Sequence, residues 1–211
     1  MDFFKILDNL KEEYKNDMVV RKNDTILLHP DKVPRCKHML FKPLTDEIIK
    51  DYLVDVCVQK FPDEYIRFLK YSNGANLATS KVWHTVKSKK IATAHSSFII
   101  FGLPRTPPFS RKPDMEEPFD LRIEDLRRHD DVPEHWIKCG TYSKEPNFAI
   151  PYDIFIDTHT EKVYSCITEK SEIVDSWETL DECFCSIYNA LLDSKEEYEY
   201  VKENEKYGKM I

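Results

Sequence analysis

At 211 residues and 25.0 kDa, the chain holds one domain's worth of sequence by the usual ~100 to 200 residues per domain. Its 41% hydrophobic and 12% aromatic content suffices for a buried core. With 31 Lys+Arg against 38 Asp+Glu, a net charge of -7 and a pI near 5.6, its summed field repels phosphate backbones and anionic lipid. That argues against nucleic-acid and membrane-surface partners and favours a basic protein.

Residues 2 to 15 place Phe3, Ile6, Leu7, Leu10 and Tyr14 at helical spacing, an amphipathic arm expected to pack on the core. Met18 to Val20 and Thr25 to Leu28 flank Lys22-Asn23-Asp24 as a possible hairpin. Thr45 caps a helix that runs to about Gln59, and Pro62 opens a second, with Tyr65, Phe68 and Leu69 facing the core. Asn73-Gly74 ends it, both residues tolerating left-handed backbone.

Residues 75 to 95 lack a clear period and read as loop with one strand at most. Ser97 to Gly102 is the best candidate for a central strand, after which Pro104, Pro107, Pro108, Pro113 and Pro118 forbid regular structure. A helix is expected from Asp120 through Arg128. Strands are expected at His135–Cys139, Pro151–Asp157 and Lys162–Ile167, the last two joined by a turn at Thr158-His159-Thr160-Glu161. Ser176 is the expected cap of a final helix with Trp177, Leu180, Phe184, Ile187, Tyr188 and Leu191 as its apolar stripe. The order of signals predicts an α+β domain, helices packed on a mainly antiparallel sheet, divided as an arm at 1–39, a core at 40–192 and a charged extension at 193–211.

The longest apolar run, Phe98 to Leu103, is far short of the ~20 residues that span a bilayer. Asp2 and Asp8 stand where a secretory leader would be basic and then apolar, so a cytoplasmic location is expected. Six cysteines without a Cys-x-x-Cys pair predict reduced thiols in a core, and the helical pattern of Cys183 and Cys185 sets them ~200° apart, unable to share a metal.

Four widely separated glycines exclude a phosphate-cradling Gly-rich loop, and no nucleophile elbow or protease cysteine signature occurs. Asp153 and Asp157, on one face of a strand but ~13 Å apart, are too distant for paired-carboxylate or two-metal chemistry and read as exposed strand acids. None of the seven histidines has His-Glu-x-x-His spacing, so a metal site needs partners the linear sequence does not reveal. His129, beside Asp130 and Asp131, reads as a solvated loop. Lys81, Lys87, Lys89 and Lys90 around Trp83 read as loop decoration. No catalytic residue, metal or cofactor is assigned. Between Asp114 and Asp125, the acids Asp114, Glu116, Glu117, Asp120, Glu124 and Asp125 face one base, Arg122. With Asp130 and Asp131 they form a candidate electrostatic docking face, for which Trp83 and Trp136 are candidate aromatic anchors.

Several motifs, in order, resemble the SUKH superfamily of bacterial immunity proteins and fungal cell-wall synthesis regulators. Ile48, Ile49 and Leu53 precede Phe61-Pro62-Asp63-Glu64-Tyr65-Ile66-Arg67-Phe68-Leu69 and Asn73-Gly74, which is similar to that family's Leu-Pro-x-x-Tyr-x-x-Phe-Leu and Asn-Gly signature. Phe98 to Gly102, Trp136-Ile137 with Gly140, Ile154 to Asp157, Val163-Tyr164 and Asp175-Ser176-Trp177 resemble its later strands and closing helix. The likeness covers residues 40 to 192 and departs at Ala75, where a second glycine is common, and at Ser143 to Asn147. It implies a SUKH-like fold and a non-catalytic protein-binding module that neutralises a toxin, such as a basic nuclease domain, by occlusion. The alternatives are a regulatory scaffold in cell-wall or glucan synthesis, and an enzyme with a dispersed site using Asp130, Asp131, His135 and Asp157.

Overall fold

Asp2 starts the first helix because its carboxylate accepts the Phe4 N–H at 3.0 Å, satisfying one of the amides that a helix start leaves without a partner. The computed structural model describes residues 2–28, 38–55, 61–86, 89–103, 132–143, 151–168 and 172–192. Helix α1 (Phe3–Glu13) leads to strands β1 (Met18–Val20), β2 (Ile26–Leu28) and β3 (His38–Leu40), then helices α2 (Asp46–Asp55) and α3 (Asp63–Tyr71). Strands β4 (Ala75–Val86), β5 (Lys89–Ile100), β6 (Trp136–Ser143), β7 (Pro151–Asp157), β8 (Val163–Ile167) and β9 (Ile173–Trp177) follow. A last helix, α4, spans residues 180–192. The nine strands among the described residues lie in one antiparallel sheet in sequence order. The molecule is the α+β domain that its pattern of helix and strand signals predicts.

Helical spacing gathers Phe3, Leu7 and Leu10 of α1, Tyr65, Phe68 and Leu69 of α3, and Leu180, Phe184, Ile187, Tyr188 and Leu191 of α4 into one apolar cluster with the sheet. Phe184 is its hub. The rings of Phe3, Phe68 and Phe98 stand edge-on to it at 5.0, 5.7 and 5.4 Å, each such pair stabilising by about 0.5–1.5 kcal/mol beyond burial. The first helix of the expected arm therefore packs into the core, with Phe3 and Leu7 1% and 0% exposed.

The end of α3 is a junction of three elements. Ser72 Oγ accepts from Phe41 N–H and donates within the same buried network. Gly74 takes a φ of 92°, the left-handed conformation expected of a helix stop. Asn73 does not share it. Its side-chain amide instead donates to the Leu103 carbonyl at 2.8 Å and its Oδ1 accepts the Leu103 N–H at 2.7 Å, so the side chain imitates a neighbouring strand. Gly102 permits this approach, since a Cβ there would lie 2.3 Å from the Asn73 carbonyl oxygen.

Two sequence expectations are corrected. Residues 75 to 95 are not a loop: they form most of the β4–β5 hairpin, in which, among the described residues, 79–86 pair only with 89–96. A two-stranded ribbon is held by its own backbone pairing, which does not require the apolar alternation of a strand packed on a core. Ser176 does not cap α4. Ser176 and Trp177 belong to β9, paired with Tyr164 and Val163, and α4 begins three residues later. There Thr179 Oγ1 accepts the Glu182 N–H at 3.1 Å, and Glu64 Oε2, from α3, accepts the amides of Leu180 and Asp181 at 2.7 and 3.4 Å. Strand pairing with β8 takes Ser176 out of cap position, and Thr179 caps the helix in its place. The expected proline loop, the helix at 120–128 and the extension at 193–211 lie outside the described residues.

Candidate functional site

Strand alternation sends Ile154 and Ile156 of β7 into the main core, so Asp153, Phe155 and Asp157 belong to the other face of the sheet. All three are buried there, at 1%, 0% and 7% exposure. The reading of Asp153 and Asp157 as exposed strand acids is thus overturned, and each has the partners that a buried carboxylate requires. Lys138 Nζ lies 2.9 Å from Asp153 Oδ1. The same ammonium sits 5.7 Å from the centre of the Phe101 ring. Beside this pair, half-buried Trp136 stacks on half-buried Tyr164, with ring centres 4.3 Å apart and planes 5° from parallel, and leans on Phe155 at 6.1 Å.

At the end of β7, Asp157 organises the turn into β8. Its Oδ1 accepts the backbone N–H groups of His159 and Thr160 at 2.8 and 3.2 Å, and Glu161 closes the turn at a φ of 61°. Thr158 reaches back to the strand before it: its N–H and its hydroxyl both donate to the His135 carbonyl, at 3.0 and 2.8 Å. The His135 and His159 rings consequently stack, 4.3 Å apart and 3° from parallel, and His135 Nε2 lies 3.7 Å from Asp157 Oδ1. Burial pushes the Asp157 carboxyl up, but the donors of His159 and Thr160 and the nearby His135 outweigh it, leaving the carboxyl below its ordinary value.

Of the candidate docking residues, Asp114, Glu116, Glu117, Asp120, Glu124, Asp125, Asp130 and Asp131 lie outside the described residues. Trp83 stands on β4 opposite Ala92, and Trp136 opens β6 in the stack just described. Of the dispersed-site residues, the fold brings His135 and Asp157 together and adds His159, which sequence reasoning had assigned only to a turn. Pairing the two predicted strands at 135–139 and 151–157 antiparallel would have found the group, because it sets His135 against the turn that follows Asp157.

The described thiols, Cys139, Cys166, Cys183 and Cys185, are buried and unbridged. Burial pushes Cys166 and Cys185 up to about 11 and Cys139 and Cys183 higher still, which keeps them protonated and poorly nucleophilic near neutrality. No helix among the described residues is long and apolar enough to cross a membrane. No protein-family model, curated protein or solved structure matches the chain.

Proposed function

We propose that this chain is a protein-binding module of SUKH-like type that neutralises a basic toxin domain, such as a nuclease, by occluding it. The observation that carries this reading is the Trp136–Tyr164 stack. Both rings are half-buried on the sheet, Trp136 leans on buried Phe155, and the Lys138–Asp153 pair lies beside them. A preformed aromatic surface that keeps part of its area in contact with solvent is the usual composition of an interface hot spot, and it loses little conformational entropy on binding. The chain's net charge of -7 supports attraction of a cationic partner and competition with that partner's own polyanionic substrate. The run of SUKH-like motifs through α3, β5, β6, β7 and β8 supports the same class.

The test is binding to, and protection from, the toxin-like product of a neighbouring gene. The expected result is a one-to-one complex that abolishes toxicity, with Trp136→Ala weakening it by at least about tenfold, the loss typical of a hot-spot ring. Absence of binding together with no rescue of growth would overturn the proposal.

A further inference from the structure

We propose that His135, Asp157 and His159 form a binding site for a divalent transition-metal ion of the zinc class. This inference stands on the β7–β8 turn and on His135, just before β6, and is independent of the partner reading above. One ligand atom from each residue can be chosen so that all three lie within 4.8 Å of one another. A tetrahedral zinc with bonds of about 2.0–2.1 Å needs its ligand atoms about 3.3 Å apart, so the 3.7 Å between His135 Nε2 and Asp157 Oδ1 is already near the required spacing.

Three features make this more than a chance meeting of polar side chains. The donor set is chemically apt: two imidazoles and one carboxylate suit zinc, cobalt or nickel and leave a coordination position for water or substrate. The charge is also apt. Two imidazoles bind a metal as neutral donors, so beside the single Asp157 carboxylate they complement a dication. The support is in place as well. The amides of His159 and Thr160 orient the carboxylate, and Thr158 ties the His135 backbone to the turn by two hydrogen bonds. Such outer contacts are what set ligand orientation in protein metal sites.

One movement is required. A metal lies in the plane of each imidazole that binds it, and two planes only 3° from parallel at 4.3 Å cannot share one ion. His159 must turn its ring toward His135 and Asp157. It is an exposed turn residue and therefore has room to do so, whereas Asp157 is buried.

The experiment uses the full chain, free of any histidine tag and treated with chelator, titrated separately with Zn(II) alone and Co(II) alone. The expected result is one ion per chain, a raised melting temperature with Zn(II), a visible cobalt absorption band, and shifted ring resonances for His135 and His159. His159→Gln is the principal variant because its side chain is exposed and the metal-free protein should melt as the wild type does. It is expected to weaken binding at least about tenfold, and His135→Gln likewise. Absence of both the Zn(II) shift and the Co(II) band with metal in large excess would overturn the assignment, as would a His159→Gln chain that binds as tightly as wild type.

Discussion

Replacing Asn73 by alanine isolates the side chain that joins α3 to the end of β5. The substitution removes the donor at 2.8 Å from the Leu103 carbonyl and the acceptor at 2.7 Å from its N–H. Asn73 and Leu103 are both 0% exposed, so water has no ready access to replace either partner. Each of the two buried groups left without a partner costs about 1–3 kcal/mol, giving an expected loss of about 2–6 kcal/mol. Against a typical domain stability of about 5–15 kcal/mol this is a large fraction. Urea unfolding followed by fluorescence should show a lower midpoint with an unchanged slope. Asn73→Asp, which keeps the acceptor but loses the donor and buries a charge, should be no more stable than the alanine variant. A loss below about 1 kcal/mol for Asn73→Ala would refute the idea that this amide serves as a structural strand surrogate.

Gly102→Ala should destabilise by about 1–3 kcal/mol, the usual cost of overpacking, because the new Cβ would lie 2.3 Å from a backbone oxygen; combined with Asn73→Ala the two losses should not add, which a double-mutant cycle reads directly. Glu64→Ala should cost about 0.5–2 kcal/mol by uncapping α4, while Glu64→Gln, which keeps an acceptor, should lose less, as measured by thermal melts. With a thiol reagent at neutral pH, Cys139, Cys166, Cys183 and Cys185 should stay silent until the protein unfolds, leaving at most Cys36 and Cys57 to react quickly. The same thiols set an alkaline limit. Cys166 and Cys185 rise from 9.0 to about 11 on folding, so their contribution to stability is whole below pH 9 and is lost as pH rises toward 11. Melting temperatures recorded across that interval should fall.

Where a signal is local, the sequence carried it. The i, i+4 spacing of Leu180, Phe184 and Tyr188 shows the buried face of α4, and Thr158 to Glu161 shows the hairpin, because both depend on neighbours within a few residues. Ser176 is a good cap by its residue type, and only its pairing with Tyr164 across β8 and β9 excludes it. The ribbon of β4 and β5 escaped because its outer residues pair with one another through backbone groups, which impose no side-chain pattern. The burial of Asp153 was illegible for a different reason: its counterion, Lys138, comes from another strand. The cluster at Asp157 likewise depends on His135, which arrives from the start of β6, and the acidic candidates from Asp114 to Asp131 fall outside the described residues.

Glu64 caps α4 across 116 positions of sequence, and Asp181 holds the first amide of α1 across 178. On the ribosome these partners are made far apart in time. At ~5 to 20 residues per second, Phe3, Phe68 and Phe98 have been synthesised several seconds before Phe184 arrives to cover them, so the nascent chain must carry an open aromatic groove until α4 has been made. A chain stopped just short of residue 180 should therefore be retained by chaperones or degraded, whereas one stopped after residue 192 already contains every ring of that cluster.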